Sequence, residues 1–207
     1  MSITHGDSVI AARENPKPQF DIFQQLKAGT ADIHRQIEER VPVFRPGFNL
    51  ADYCQLVKRF YGFWWPLEVK LSSLSDLQHP ELDLEGRLKS PFLEDDLRFL
   101  GLDPTLVRQC ARLPGVDSVQ QAFGCLYVLE GSTLGAQFIS HKLETDLCLR
   151  AGSGASFFNA YGESVGQRWQ DFKIFVTARV GSYDSETVVA TARQTFQSLH
   201  EWLGARL

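Results

Sequence analysis

Apolar positions recur at helical spacing over long stretches of this chain, and glycine, proline and capping residues mark where each stretch stops. Between Asp21 and Val41, Ile22, Phe23, Leu26, Ile33, Ile37 and Val41 share a face, Asp21 is placed to cap the first turn and Pro42 closes the segment. Phe44-Arg45-Pro46-Gly47 is a turn. A second stretch, opened by Asn49 or Asp52, continues through Tyr53, Leu56, Val57, Phe60, Phe63, Trp64, Leu67 and Leu71, and Pro66 within it predicts a kink or a break. Leu93 to Leu100 predicts a short helix ending at Gly101. The chain restarts at Asp103-Pro104 and stops again at Leu113-Pro114-Gly115. Asp117 or Ser118 then caps a long helix through Phe123, Leu126, Leu129, Leu134 and Ile139 to about Leu147. A short helix from Phe157 to Tyr161 and longer ones over Val165–Arg179 and Ser185–Leu203 complete the pattern. Gly152-Ser153-Gly154 superficially resembles a phosphate loop, but no strand precedes it and no third glycine completes the fingerprint, so it is a linker. No segment alternates convincingly with period 2, and the expected class is all-α, a helical bundle.

Composition narrows the partners. The 207 residues fit one domain, residues 20–207, preceded by a polar arm over residues 1–19 that carries Pro16 and Pro18 and is expected to be flexible. With 21 basic and 25 acidic residues, a net charge of −4 and no Lys/Arg run, binding to nucleic acid through phosphate neutralisation is excluded. No run approaches the roughly 18 apolar residues of a membrane span, and the N-terminus lacks a signal-peptide core, so a cytoplasmic location is expected. Cys54, Cys110, Cys125 and Cys148 are scattered, form no CxxC pair and are expected to be free, mostly buried thiols. The 15 Phe and 4 Trp supply material for a large apolar pocket as well as for a core.

Two features break the rules of an ordinary helical core. His34 follows Thr30 by four residues and precedes Ile37 by three, which places it on the buried stripe of the first helix. An imidazole there must find a hydrogen bond, sit at a pocket edge or bind something. His5 falls in the arm, His79 in a loop beside Pro80, His141 off the glycine face described next, and His200 near the end of the last helix. The second feature is Gly124, Gly131 and Gly135, at i, i+7 and i+11 of the long helix, three glycines on one face where each costs about 1 kcal/mol relative to alanine. Such a face permits either a close helix crossing or the approach of a ligand to bare backbone. Combined, an imidazole from one helix and a bare face from another could sandwich a flat metallo-macrocycle, ligated on one side and open on the other.

The segment Leu26-Lys27-Ala28-Gly29-Thr30-Ala31-Asp32-Ile33-His34-Arg35-Gln36-Ile37-Glu38 resembles the proximal helix of the haem oxygenases. Tyr127-Val128-Leu129-Glu130-Gly131-Ser132-Thr133-Leu134-Gly135-Ala136-Gln137 is similar to their distal helix, in the form of the bacteriophytochrome-associated bacterial branch, and Leu93 to Leu100 resembles their short middle helix. The resemblance implies the all-α haem-oxygenase fold, with haem b as both substrate and cofactor between proximal and distal helices. It implies His34 as the iron ligand through a neutral ring nitrogen, Glu38 as the carboxylate near that histidine, and Lys27 as a basic residue near the haem propionates. Gly131 and Gly135 correspond to the distal glycines near bound oxygen, and Phe196 to a pocket-lining aromatic of the last helix. The implied reaction consumes dioxygen and external electrons and yields biliverdin, carbon monoxide and iron. With no flavin or nicotinamide motif in the chain, the electrons must come from a ferredoxin, a flavodoxin or a reductase, and the bilin could supply a phytochrome.

The departures from the family pattern concern the distal side. Ser132 stands where many relatives carry an aspartate, able to hydrogen-bond an ordered water but not to hold a charge. Ala136 replaces a second glycine and is expected to take room from the ligand, while Arg168, Gln170 and Lys173 only approximate the basic positions of relatives. A non-catalytic haem carrier on the same fold is the alternative that Ser132 and Ala136 favour. A thiaminase-like hydrolase would need Cys125 as nucleophile, and a di-iron oxygenase would need Glu-x-x-His pairs that the chain lacks.

Overall fold

A computed structural model describes residues 20–205. The arm expected over residues 1–19, with His5, lies outside the described residues. Six helices follow in order: α1 (Ile22–Arg40), α2 (Leu50–Ser72), α3 (Ser90–Phe99), α4 (Val119–Leu147), α5 (Val165–Thr177) and α6 (Ser185–Gly204), joined by loops with short 3-10 turns. No strand occurs among the described residues, and the sole bridges close the turn at Arg150–Gly154, where the glycine pair acts as a linker.

Local chemistry sets the helix starts. The Asp21 carboxylate accepts the N–H groups of Phe23 (2.9 Å) and Gln24 (3.2 Å). Asn49 and Asp52 act together: Asn49 accepts from Asp52 N–H while Asp52 accepts from Asn49 N–H, a capping box that opens α2. Ser118, rather than Asp117, caps α4 through Gln121 N–H.

Of the two outcomes expected at Pro66, a kink or a break, the break does not occur: α2 is one helix with Pro66 inside it. Its missing N–H would have bonded the Gly62 carbonyl, and that carbonyl instead accepts the N–H of Cys110 at 2.8 Å. Gly62 also lets the 108–110 loop come this close, since a Cβ there would lie 2.3 Å from the Arg108 carbonyl oxygen. The helix thus stays whole because a distant segment bonds the group that proline leaves free.

The last helix is the spine of the bundle. It packs along both α1 and α4, with α2 against its C-terminal end and α3 against α2. Arg59 on α2 donates to the carbonyls of Trp202, Leu203 and Ala205, bonding the orphan carbonyls of the α6 terminus, and Trp202 Nε1 returns a 2.7 Å bond to Arg59 O. Gly124 on α4 makes the α4–α6 crossing possible: a Cβ there would sit 2.6 Å from Val188 O and 2.8 Å from Ala192 N. Buried apolar residues from all six helices join in one contiguous core.

Candidate functional site

Beyond the α6 crossing, α4 runs over a cavity of about 690 Å³. α1 forms one wall with His34, Ile37 and Glu38, and α4 forms another with Tyr127, Gly131, Ser132, Gly135 and Phe138. Phe196 and Leu199 of α6 close one side, Phe60 and Trp64 of α2 with Phe157 and Phe158 another, and Trp169 of α5 borders the rest. The volume is that of a small-molecule site, and the lining is chiefly aromatic and aliphatic, with no lysine or arginine among the described residues.

His34 does not share the buried stripe of α1, which consists of Ile22, Leu26, Thr30 and Ile33. It sits one position round the helix, with its side chain half exposed into the cavity. Its Nδ1 lies 3.5 Å from Glu38 Oε1 one turn on, and its ring meets Phe196 edge-on at 5.5 Å. The carboxylate and the aromatic ring together restrict the imidazole's rotation, which leaves Nε2 as the ring nitrogen without a neighbouring acid. Among the described residues no group of three or more His, Cys, Asp or Glu side chains could hold a metal by itself. One exposed imidazole suits a metal whose other ligands come from a macrocycle.

The glycine stripe divides between two tasks. Gly124 serves the α6 crossing, whereas a Cβ on Gly131 or Gly135 would meet nothing within 4 Å. No helix packs on these two residues, so their bare backbone faces open cavity. Ser132, between them, donates its hydroxyl to Leu129 O at 2.7 Å and keeps its lone pairs to accept. Ala136 is buried in the core and does not line the cavity, so its methyl group takes no room from a ligand, contrary to expectation.

The structure brings His34, Glu38, Gly131, Ser132, Gly135 and Phe196 to one cavity and leaves Lys27 exposed outside its lining. Gln170 and Lys173 line a separate groove with Phe20, Asp21, Phe23 and Gln24. Arg168 is engaged with Asp83 (2.7 Å) and Gly86 O (2.6 Å) and lies over the Tyr161 ring. Cys110 and Cys125 are buried and Cys54 is half-buried, but Cys148 is exposed, where it ends α4 in a left-handed conformation at φ 55°. Burial pushes the Cys125 thiol up to about 11, which leaves it protonated and a poor nucleophile. His200 accepts a 3.0 Å bond from Arg40 Nε near the end of α6.

Sequence reasoning missed a buried ionic network behind α4. Glu130, next to Gly131, accepts from Arg87, from Lys89 Nζ at 2.9 Å and from Tyr161 OH at 2.6 Å, with the three charged side chains at 0–1% exposure. Lys89 and Tyr161 are joined at 2.7 Å, and burial pulls the Lys89 amine down. Glu68 on α2 accepts from Lys89 N–H, Ser90 N–H and Ser90 Oγ. The network clamps the 82–90 segment and the Tyr161 loop onto α4 at the last residue before the open face. A lone acid following the apolar run from Cys125 to Leu129 was its signal in the sequence.

An all-helical bundle whose apolar cavity is lined by one imidazole opposite bare helical backbone has the form of a haem-binding protein. The sequence profile of the heme oxygenase family matches residues 21–205, and the chain belongs to that family of haem-degrading enzymes. Among solved structures it is similar to the heme oxygenase of Neisseria meningitidis, studied in NO- and CO-bound forms, with 21% identity and a TM-score of 0.75 over 90% of this chain and 94% of that one. It is also similar to the heme oxygenase of Leptospira interrogans, with 17% identity and a TM-score of 0.73 over 89% of this chain and 98% of that one. Curated proteins give no significant match. Among the described residues no helix is long and apolar enough to cross a membrane.

Proposed function

We propose that this chain binds one haem b in the cavity between α1 and α4 and cleaves it to biliverdin, carbon monoxide and iron, using dioxygen and electrons from outside the chain. The observation that carries the reading is that His34 and the unfilled backbone of Gly131 and Gly135 line the same apolar cavity. When bound, haem supplies the iron that activates dioxygen and is itself the ring that is cut.

The chain's own residues do the rest. His34 would hold the iron through Nε2, with Glu38 beside Nδ1 and Phe196 edge-on to the ring to orient it. Gly131 and Gly135 leave the opposite face free of side chains, so a small ligand and the macrocycle edge can approach the backbone. Ser132, with its proton committed to Leu129 O, accepts a hydrogen bond from an ordered water and so orients the proton donor of the reaction. Lys27, seven residues before His34 and exposed, is assigned to a haem propionate outside the cavity lining.

Electrons come from a ferredoxin, a flavodoxin or a reductase, and the motif around Gly131 favours the bacteriophytochrome-associated branch, in which the bilin serves a photoreceptor. The chain acts in the cytoplasm in this reading. The carrier alternative rested on Ser132 and Ala136, and the burial of Ala136 leaves it Ser132 alone. Incubating the haem complex with dioxygen, a reducing system and catalase tests the choice. Loss of the Soret band with appearance of a biliverdin spectrum is expected, and a complex that persists for many hours without bilin would favour the carrier.

A further inference from the structure

The loop between α4 and α5 carries two aromatic residues of the cavity wall, Phe157 and Phe158, in one 3-10 turn over Phe157–Asn159. Its capping position, Ser156, makes no side-chain cap bond. Asp96 of α3 takes that role from 60 residues earlier in the chain. Its two oxygens accept the N–H groups of Ser156 at 2.6 Å and of Phe157 at 2.9 Å. Asp96 is fully buried, and the groups that act on it among the described residues include no lysine or arginine. Burial pushes its carboxyl up and the two N–H bonds work against that shift, so the loop supplies what a buried acid without a cation requires. A second tether reaches the same loop from α2, where the fully buried Tyr53 donates its hydroxyl to Gly154 O at 2.7 Å. Neither Asp96 nor Tyr53 lines the cavity, but the rings they hold do. Phe157 meets Phe60 of α2 at 5.2 Å, and Phe158 meets it edge-on at 6.0 Å.

We propose that Asp96 and Tyr53 are positioning residues, which hold the Phe157–Phe158 wall from outside the cavity and thereby fix how a ring ligand is seated in it. The first half of the proposal stands on the bonds to the loop; the second rests on the haem reading given above. The outline of a porphyrin is nearly fourfold symmetric, so the meso carbon that comes beneath the bare backbone of α4 depends on which ring edge each wall admits. No lysine or arginine lines the cavity among the described residues, so inside it the choice falls to the shape of the apolar walls. A wall displaced by about 1 Å is enough to change which atoms come within reach of one another.

The test uses two variants and two arms. Asp96→Asn keeps the size of the side chain but has one acceptor oxygen for two N–H donors, and Tyr53→Phe keeps the ring and loses only the bond to Gly154. Should Asp96→Asn not fold, Tyr53→Phe alone decides. In the ligand-free protein with labelled phenylalanine, nuclear Overhauser contacts between the Phe60 and Phe157 rings should be present in wild type and weakened in the variants. Contacts absent from wild type, or undiminished in the variants, would overturn the proposal. In the haem complex, transfer of haem to excess apomyoglobin should be roughly fivefold faster from the variants, and the ratio of bilin isomers after single turnover should shift by a similar factor, the worth of about one hydrogen bond. Unchanged transfer with an unchanged isomer ratio would overturn the second half, since a merely structural tether lowers the melting temperature and leaves the seating of the ligand as it was. If wild type takes up no haem, it is the haem reading that fails, and the ring contacts still decide the role of Asp96 and Tyr53.

Discussion

The glycines of α4 provide the sharpest separation between packing and function, because one helix carries both kinds. Alanine at Gly124 would place a Cβ 2.6 Å from Val188 O, 2.8 Å from Ala192 N and 2.8 Å from Thr191 Cβ. Two of those atoms are α6 backbone and cannot swing aside, so the helices must part, at a cost of about 1–3 kcal/mol for overpacking. Alanine at Gly131 or Gly135 meets nothing within 4 Å and gains helix propensity, up to about 1 kcal/mol. For a chain of this length each kcal/mol moves the melting temperature by roughly 2–4 °C. The apo-protein of Gly124→Ala should therefore melt several degrees lower, and those of Gly131→Ala and Gly135→Ala unchanged to about 4 °C higher. Turnover per folded molecule should follow the opposite order. The methyl groups at 131 and 135 intrude where ligand must approach and should lower bilin formation on the order of tenfold, while Gly124→Ala keeps its rate. The assay pairs calorimetry of the apo-protein with single-turnover spectra, since bound haem would itself raise the melting point. Destabilised apo-protein with normal turnover at Gly131→Ala and Gly135→Ala would refute the reasoning.

Three further outcomes are expected. Glu130→Ala leaves Arg87 and Lys89 buried without their carboxylate, a loss of about 3–5 kcal/mol that should lower the melting temperature by on the order of 10 °C; a change below about 2 °C would mean the network is not formed. Alkylation followed by peptide mass spectrometry at pH 8 should modify exposed Cys148 rapidly and Cys125 very slowly. With its thiol up at about 11, on the order of one Cys125 in a thousand is ionised at that pH, and its reaction should speed up only as pH rises toward that value; fast labelling at pH 8 would contradict the burial. Gly62→Ala should destabilise the apo-protein by roughly 1–3 kcal/mol through its clash with the Arg108 carbonyl, with wild-type thermal unfolding as the reference and an unchanged midpoint as the contrary result.

Much of the fold was legible because its signals are local. Asp21, Asn49 with Asp52, and Ser118 are side chains that bond backbone within three residues, so the starts of α1, α2 and α4 can be read from short windows. The continuity of α2 was not legible, because the Gly62 carbonyl freed by Pro66 is bonded by Cys110, 48 residues further along the chain. His34 and the glycine face were visible as exceptions to helical patterning, yet the pattern could not divide Gly124 from Gly131 and Gly135. That division depends on where α6 crosses α4, a property of two helices rather than of one. Phe60, Trp64, Phe157 and Phe158 look like core residues in sequence, and only packing turns them into a cavity wall. The Glu130 network joins side chains 31 to 43 residues apart and has no short-range signature beyond its isolated acid.

The central claim is that His34 carries the haem. Titrating ferric haem into wild type and His34→Ala, with absorption spectra recorded before and after adding imidazole, tests it most directly. A histidine-ligated Soret band at one haem per chain in wild type, lost in His34→Ala and restored by imidazole filling the space of the missing side chain, is the predicted result. A variant whose haem spectrum matches wild type without imidazole would contradict it.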